Sequence, residues 1–299
     1  MKAKIIFTSF AAGSLLYRAS ASRIELQART SNFFDSVYVY NDLNAPNELK
    51  KFIIENKELF KKKGYGYWIW KPFLINEILK KSKEGDIICY ADSGCEISKF
   101  GKERFLENIK FTSNNGGLFF HMPGYLEINW TKKSALNFFG VSKDSSITST
   151  AQIQATYFYI KNNETNRKLI KDWLNYCNFN RFSLVDNSDN FGINAKTFVD
   201  HRHDQSILSL LVKRNKIVTK EFECFHHRMF YFLNSNILRY PIHSFRNRNG
   251  RVKHPLVFKY SSNNIVNSNS LLLSLFKALS FLINFIYLSL KHFLRKVSC

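Results

Sequence analysis

Short, nearly unbroken apolar runs alternate along the chain with stretches in which apolar residues recur at helical spacing. Lys4 to Phe10 and Ile87 to Ala91 are runs of β-formers, the second bounded by Gly85 and Gly94, and both read as strands buried on two faces. Between the first run and a second strand over Asp35 to Asn41 lies a predicted helix. Ser22 as N-cap and Glu25 three residues on form its capping box, and Ile24, Leu26, Ala28 and Phe33 supply its apolar surface. The opening is therefore a β-α-β unit with parallel pairing. Pro46 to Lys63 predicts another helix, closed by Lys61, Lys62, Lys63 and then Gly64. Pro72 fits the first turn of the next, whose Phe73, Ile75, Ile78 and Leu79 turn toward the sheet.

Gly117 to His121 and Ile153 to Ile160 predict further strands, and Glu164 to Asn178 a helix carrying Leu169, Ile170, Trp173, Leu174 and Cys177. Ile207, Leu208, Leu210 and Leu211 share a helix face, which places Asp204 and Gln205 in the first turn; Ile217 to Phe222 is a last strand. The pattern predicts an α/β fold over residues 1–258, a mixed, mainly parallel sheet flanked by helices. An Asn/Ser-rich linker over 259–270 and a mostly apolar tail over 271–299 follow. In that tail Ser270, Ser274, Lys277, Ser280, Asn284, Lys291, His292 and Arg295 gather on one narrow helical face. A spanning helix would bury Lys277 and Asn284, so the expectation is a helix lying on an anionic membrane surface, or else docked on the protein's own core.

Charge narrows the partners. Lys and Arg number 44 against 23 Asp and Glu, a net +21 that favours phosphates, nucleic acid or acidic membrane. No helix-turn-helix, RNP or zinc-finger pattern accompanies that charge, which is scattered along the chain, so nucleic acid is not an expected partner. The five cysteines, at 89, 95, 177, 224 and 299, show no C-x-x-C spacing and suit a reducing cytosol. No secretion signal is seen, and the expected location is cytoplasmic, on the inner face of the membrane.

The strand over Ile87 to Ala91 exits into Asp92, Ser93, Gly94, Cys95 and Glu96. Ligands collect outside the carboxyl ends of strands in such sheets, and carboxylates there can hold a divalent cation that bridges a diphosphate. An Asx-type turn is the simpler reading of the same residues. Just upstream, Gly64 to Pro72 is dense in Tyr and Trp, which suit packing, and contains Lys71, which could face a phosphate. Asp204 is either a cap or a functional acid. His243, with Arg246 and Arg248 behind it, could give a metal ligand and diphosphate contacts. A rival reading, a metal-dependent hydrolase, gathers His201, His203, Asp204, His226 and His227.

The runs GYGYWIWKPFLINEIL and GDIICYADSGCEI resemble a group of bacterial polysaccharide and lipopolysaccharide glycosyltransferases, and HDQSILSLL is similar to the Asp-Gln helix start of family-8 transferases. The resemblance, over about residues 3 to 250, implies a GT-A-like fold. It also implies transfer from a nucleotide-diphosphate sugar to a glycan or lipid-linked acceptor, with Mn²⁺ or Mg²⁺ as cofactor. On that resemblance Asp92 binds the metal and the donor diphosphate and His243 completes the metal shell, with Glu96 as a further ligand; Thr8, Arg23, Lys71 and Arg246 are the other expected donor contacts. Asp204 and Gln205 lie near the reacting sugar. The second acid of the DxD motif is replaced by Gly94, with Glu96 the candidate substitute, and the glycine-lysine-proline-tryptophan run after the late histidine is missing.

Overall fold

A computed structural model describes residues 3–188, 192–223, 240–248 and 250. Its strands are β1 (Ile5–Phe10), β2 (Ser36–Tyr40), β3 (Ile87–Ala91), β4 (Glu96–Ile97), β5 (Gly117–Leu126), β6 (Ala151–Ile153), β7 (Tyr157–Lys161), β8 (Thr219–Glu221) and β9 (Ile242–His243). The principal helices are α1 (Leu15–Ser31), α2 (Asn47–Glu55), α3 (Trp70–Lys81), α4 (Lys102–Asn115), α5 (Glu164–Cys177) and α6 (Asp204–Arg214).

Seven strands form one sheet in the order β2-β1-β3-β7-β5-β6, with β8 also beside β5, and β4 pairs with β9 separately. β1, β2, β3, β5 and β8 run one way while β6 and β7 run against them, the mixed, mainly parallel sheet that the apolar pattern predicts. Alternation along the strands sends side chains to two cores. Ile6, Phe10, Ile88, Phe158 and Ile160 pack under α3, α5 and α6. Phe7, Ile87, Cys89, Leu118 and Tyr159 pack under α1 and α4. α1 and α4, which follow β1 and β3 in the chain, share one face of the sheet, while α3, which precedes β3, lies on the other, so the carboxyl ends of the neighbouring strands β1 and β3 stand side by side between these layers.

Three local expectations are corrected. The first helix starts at Leu15, capped by the Ser14 hydroxyl accepting from the Tyr17 N–H; Ser22 lies inside it with its hydroxyl on the Arg18 carbonyl. The helix expected over 46–63 breaks after Glu55, where Asn56 leaves helical geometry and turns its own amide onto the Phe52 carbonyl. The strand expected over 153–160 divides into β6 and β7. Between them the Gln154 side chain accepts from the Tyr157 N–H at 3.0 Å and turns the backbone, so that the Ala155 peptide points out of the ladder.

Before α3 the chain makes a left-handed turn: Gly64, Tyr65, Gly66, Tyr67 and Trp68 all have φ between 53 and 81. A left-handed conformation costs a non-glycine residue about 1–2 kcal/mol. Packing holds it here, with Tyr65 against Phe10 and Phe60, Tyr67 stacked 4.8 Å from His203, and the Trp70 indole donating to the Gly64 carbonyl at 3.2 Å. Gly64 is required there, since a Cβ would stand 2.3 Å from the Trp68 ring. The turn leads into α3 with Lys71 in its first turn, where Pro72 needs no helical partner for its nitrogen.

Candidate functional site

Tyr90 and Asp92 point to the same face of β3 and its extension by the two-residue period, and the Tyr90 hydroxyl donates to Asp92 Oδ1 at 2.5 Å. Lys71 Nζ lies 3.2 Å from the same oxygen, 3.2 Å from Asp204 Oδ2, and 2.9 Å from the Ala155 carbonyl, to which it donates. Three segments distant in sequence thus meet on one ammonium. Lys71 and Asp204 are almost wholly buried, whereas the Asp92 side chain is 32% exposed. Asp92 is therefore the accessible face of a buried charge cluster.

One ammonium serves two carboxylates. Burial is the largest influence on Asp204 and raises its pKa; Lys71 opposes this and Asp92 reinforces it, leaving it at about 7. For Lys71 burial pulls the pKa down, but Asp204 and Asp92 outweigh it and the net direction is up. The backbone just before Asp204 is itself strained, with His203 at φ 53, ψ −122.

Gln205, expected near the reacting sugar, is half-buried and bonded within the protein. Its amide nitrogen donates to Gln152 Oε1 at 2.7 Å and its oxygen accepts from the Ala155 N–H at 3.2 Å, so it holds the peptide that holds Lys71. Gln152 in turn donates to Glu127, which also accepts from Thr131, Ser209 and Lys213. This fully buried glutamate anchors the floor beneath Ala155.

Two donor-site expectations are displaced. Arg23 is buried and its guanidinium donates to the carbonyls of Cys95 at 2.8 Å, Ser93 at 2.6 Å and Asn247 at 3.2 Å, fastening the turn after β3 to the 240s segment. A long arginine buried on α1 folds inward to backbone acceptors rather than outward to a phosphate. Thr8 is fully buried in β1, beside Tyr90 in register, and so is not open to a ligand. Lys71 is at the site, with its N–H groups directed at partners within the protein. Arg246 is exposed beside the turn.

The expected metal trio is also corrected. Among the described residues no group of three His, Cys, Asp or Glu side chains is disposed to hold a metal ion. Asp92 Oδ1 is engaged by Tyr90 and Lys71. Glu96 is fully buried, accepting from the Asn247 amide at 2.5 Å with Arg23 at 4.0 Å. His243 is its register partner on β9 and stacks on Phe245. An acid at Gly94 would crowd the 240s segment, because a Cβ there would stand 3.3 Å from Arg246 Cα and that backbone would have to give by a few tenths of an ångström. The residues present do not fit the divalent cation implied by the resemblance, since cations of the chain itself, Lys71 and Arg23, stand beside the acids. Gly94→Asp should therefore lower stability by about 1–3 kcal/mol in thermal melts without creating Mn²⁺-dependent stabilisation. A rise in Tm with Mn²⁺ would contradict this.

The His-x-His cluster of the hydrolase reading is structural. His201 donates to the Leu184 carbonyl at 2.9 Å and accepts from the Lys132 N–H at 3.3 Å; His203 donates to the Val185 carbonyl at 2.6 Å. Burial holds His201 well below its ordinary pKa and lowers His203 to about 4. His226 and His227 lie outside the described residues, as do the linker and tail. No helix among the described residues is long and apolar enough to cross a membrane.

No family model matches the chain, and no curated protein does. Three solved structures with some likeness to it are glycosyltransferases. One is a glycosyltransferase involved in the glycosylation of the major capsid of PBCV-1, 13% identical over 59% of this chain and 68% of that one, TM-score 0.34. Mouse xyloside xylosyltransferase 1 in its apo form is 10% identical over 80% and 97%, TM-score 0.40. Apo GlyE of Streptococcus pneumoniae TIGR4 is 16% identical over 88% and 58%, TM-score 0.35. Overlaps this small assign neither family nor activity, so the chemistry of the site has to.

That chemistry includes residues with weak sequence signals. Tyr90 could be found from its position two residues before Asp92. Arg202, placed over Trp130 with its guanidinium carbon 4.1 Å from the ring centroid, is marked only by standing two residues before Asp204.

Proposed function

We propose that the protein is a GT-A-like glycosyltransferase that moves a sugar from a nucleotide-diphosphate donor to a hydroxyl of a glycan or lipid-linked acceptor. The observation that carries this reading is the junction of Asp92 and Asp204 on Lys71, at the carboxyl ends of β1 and β3. Donor diphosphate binds across the mouth near Asp92. The bond between the anomeric carbon and the diphosphate oxygen breaks, and the nucleoside diphosphate leaves with the electron pair. The acceptor oxygen bonds to that carbon and its proton passes to Asp204. A carboxyl group with a pKa of about 7 is matched to accepting a proton at neutral pH. Lys71 holds Asp204 toward Asp92 and offsets the negative charge of the pair. The high net positive charge suits both an anionic donor and an anionic membrane carrying the acceptor.

The test is incubation of the purified protein with a panel of UDP-, GDP- and dTDP-sugars, following release of nucleoside diphosphate with and without a glycan acceptor. One donor class should be consumed, at a rate that rises as pH passes through about 7. Release from none of them would overturn the reading.

A further inference from the structure

Three arginines from two distant segments lie on stretches that border the site. Arg246 lies against the turn after β3, where Asn247 donates its N–H to the Gly94 carbonyl at 2.9 Å. The Arg248 guanidinium carbon stands 5.7 Å from the ring centroid of Tyr17, at the start of α1 just after β1. Arg202, two residues ahead of Asp204, lies over Trp130, and its Nε–H is buried with no acceptor among the described residues. Arg246 and Arg248 are exposed. Burial lowers the Arg202 pKa, Asp200 opposes this, and the charge of Arg246 pushes it lower again, so the two guanidinium groups feel each other. Arginines thus stand beside the start of α1, beside the turn after β3 and two residues ahead of Asp204. Lys71 cannot add to them while its N–H groups point at Ala155, Asp92 and Asp204.

We propose that Arg202, Arg246 and Arg248 do the work of the missing cation, clamping the donor diphosphate and carrying the charge of the departing nucleoside diphosphate, so that binding and transfer need no divalent metal. The guanidinium fork matches phosphate oxygens two at a time, and the clamp supplies an acceptor for the stranded Arg202 Nε–H. The proposal rests on the glycosyl-transfer reading for its substrate but can fail separately from it.

Titration calorimetry with UDP and GDP, each in excess EDTA and in excess Mn²⁺, tests it on the full chain. Binding of one nucleotide should change by less than about twofold between the two conditions. Arg202→Gln and Arg246→Gln should each weaken it by about tenfold or more, in circular-dichroism-matched preparations. Arg29→Gln, at the far end of α1 and paired with Glu25, serves as the control for bulk charge and should leave binding unchanged. Binding or donor turnover seen only with Mn²⁺ would overturn the proposal and leave glycosyl transfer standing. Equal losses in all three variants, or no binding of either nucleotide, would also overturn it. Metal-free binding that depends on Arg202 and Arg246, with no nucleotide sugar consumed, would support the clamp and sink the transfer reading.

Discussion

Asp204→Asn is expected to reduce sugar transfer by at least about a hundredfold, the low end of what a positioned base contributes, while making the protein more resistant to alkaline unfolding. Both effects come from one property. In the folded chain Asp204 releases its proton at about 7 rather than at 3.8, because it is buried beside a second acid and shares a single ammonium with it. Between those two values the folded state holds a proton that the unfolded chain gives up. Stability therefore falls as pH rises from about 4 to about 7 and stays low above that. Asparagine cannot ionise and removes this slope, a difference on the order of a few kcal/mol at pH 8. The check is a pair of Tm against pH curves beside initial rates of donor consumption. Curves that run parallel, or activity within about tenfold of the wild type, would show that Asp204 is not the proton acceptor.

Much of the sheet was legible because buried strands and two-sided helices leave strong periodic signals. β1, β2, β3, α5 and α6 lie where apolar runs and helical spacing predict them. That Asp92 ends a buried strand and that Asp204 opens a helix were legible as well. What could not be read is how long-range packing spends individual side chains. Arg23 looks like a phosphate ligand by composition, yet its helix face turns it to three backbone carbonyls. Gly94 looks like a lost acid, and the close passage of the Arg246 backbone, which crowds a side chain there, was not visible in the sequence. Glu96 and His243 read as ligands because the residue types suit a metal, while their pairing on β4 and β9 was invisible without the fold. The left-handed turn over Gly64 to Trp68 escaped for a related reason. Two glycines allow it, but Phe10, Phe60 and His203, from three other segments, stabilise it.

That turn exists to place one residue, and Lys71→Met is expected to be the most damaging single substitution in the site. Methionine fills the volume of the lysine stem but leaves two carboxylates facing each other without a cation and the Ala155 carbonyl without its donor. Breaking a buried ion pair by deleting one member costs on the order of 3–5 kcal/mol. The loss should depend on pH in a particular direction. Because the Lys71 pKa is raised, its own contribution is fully present throughout the range below the ordinary lysine value and fades only as pH climbs past the raised one. Any slope between pH 5 and 8 must therefore come from the acids. Without Lys71 the charge that holds the Asp204 pKa down against burial and Asp92 is gone, so the folded variant keeps its Asp204 proton beyond about pH 7. The unfolded chain gives that proton up near the ordinary carboxylate value; stability falls as pH rises, and the variant should melt lower at pH 8 than at pH 5. Adding Asp204→Asn to Lys71→Met removes one of the stranded charges and should recover about 0.5–3 kcal/mol relative to the sum of the single losses. Chemical denaturation of the four proteins in this cycle at the two pH values measures it. A coupling near zero at pH 8 would mean that the ammonium is held by the Ala155 carbonyl and Asp92 alone, and that the tie between the two acids is not what organises the site.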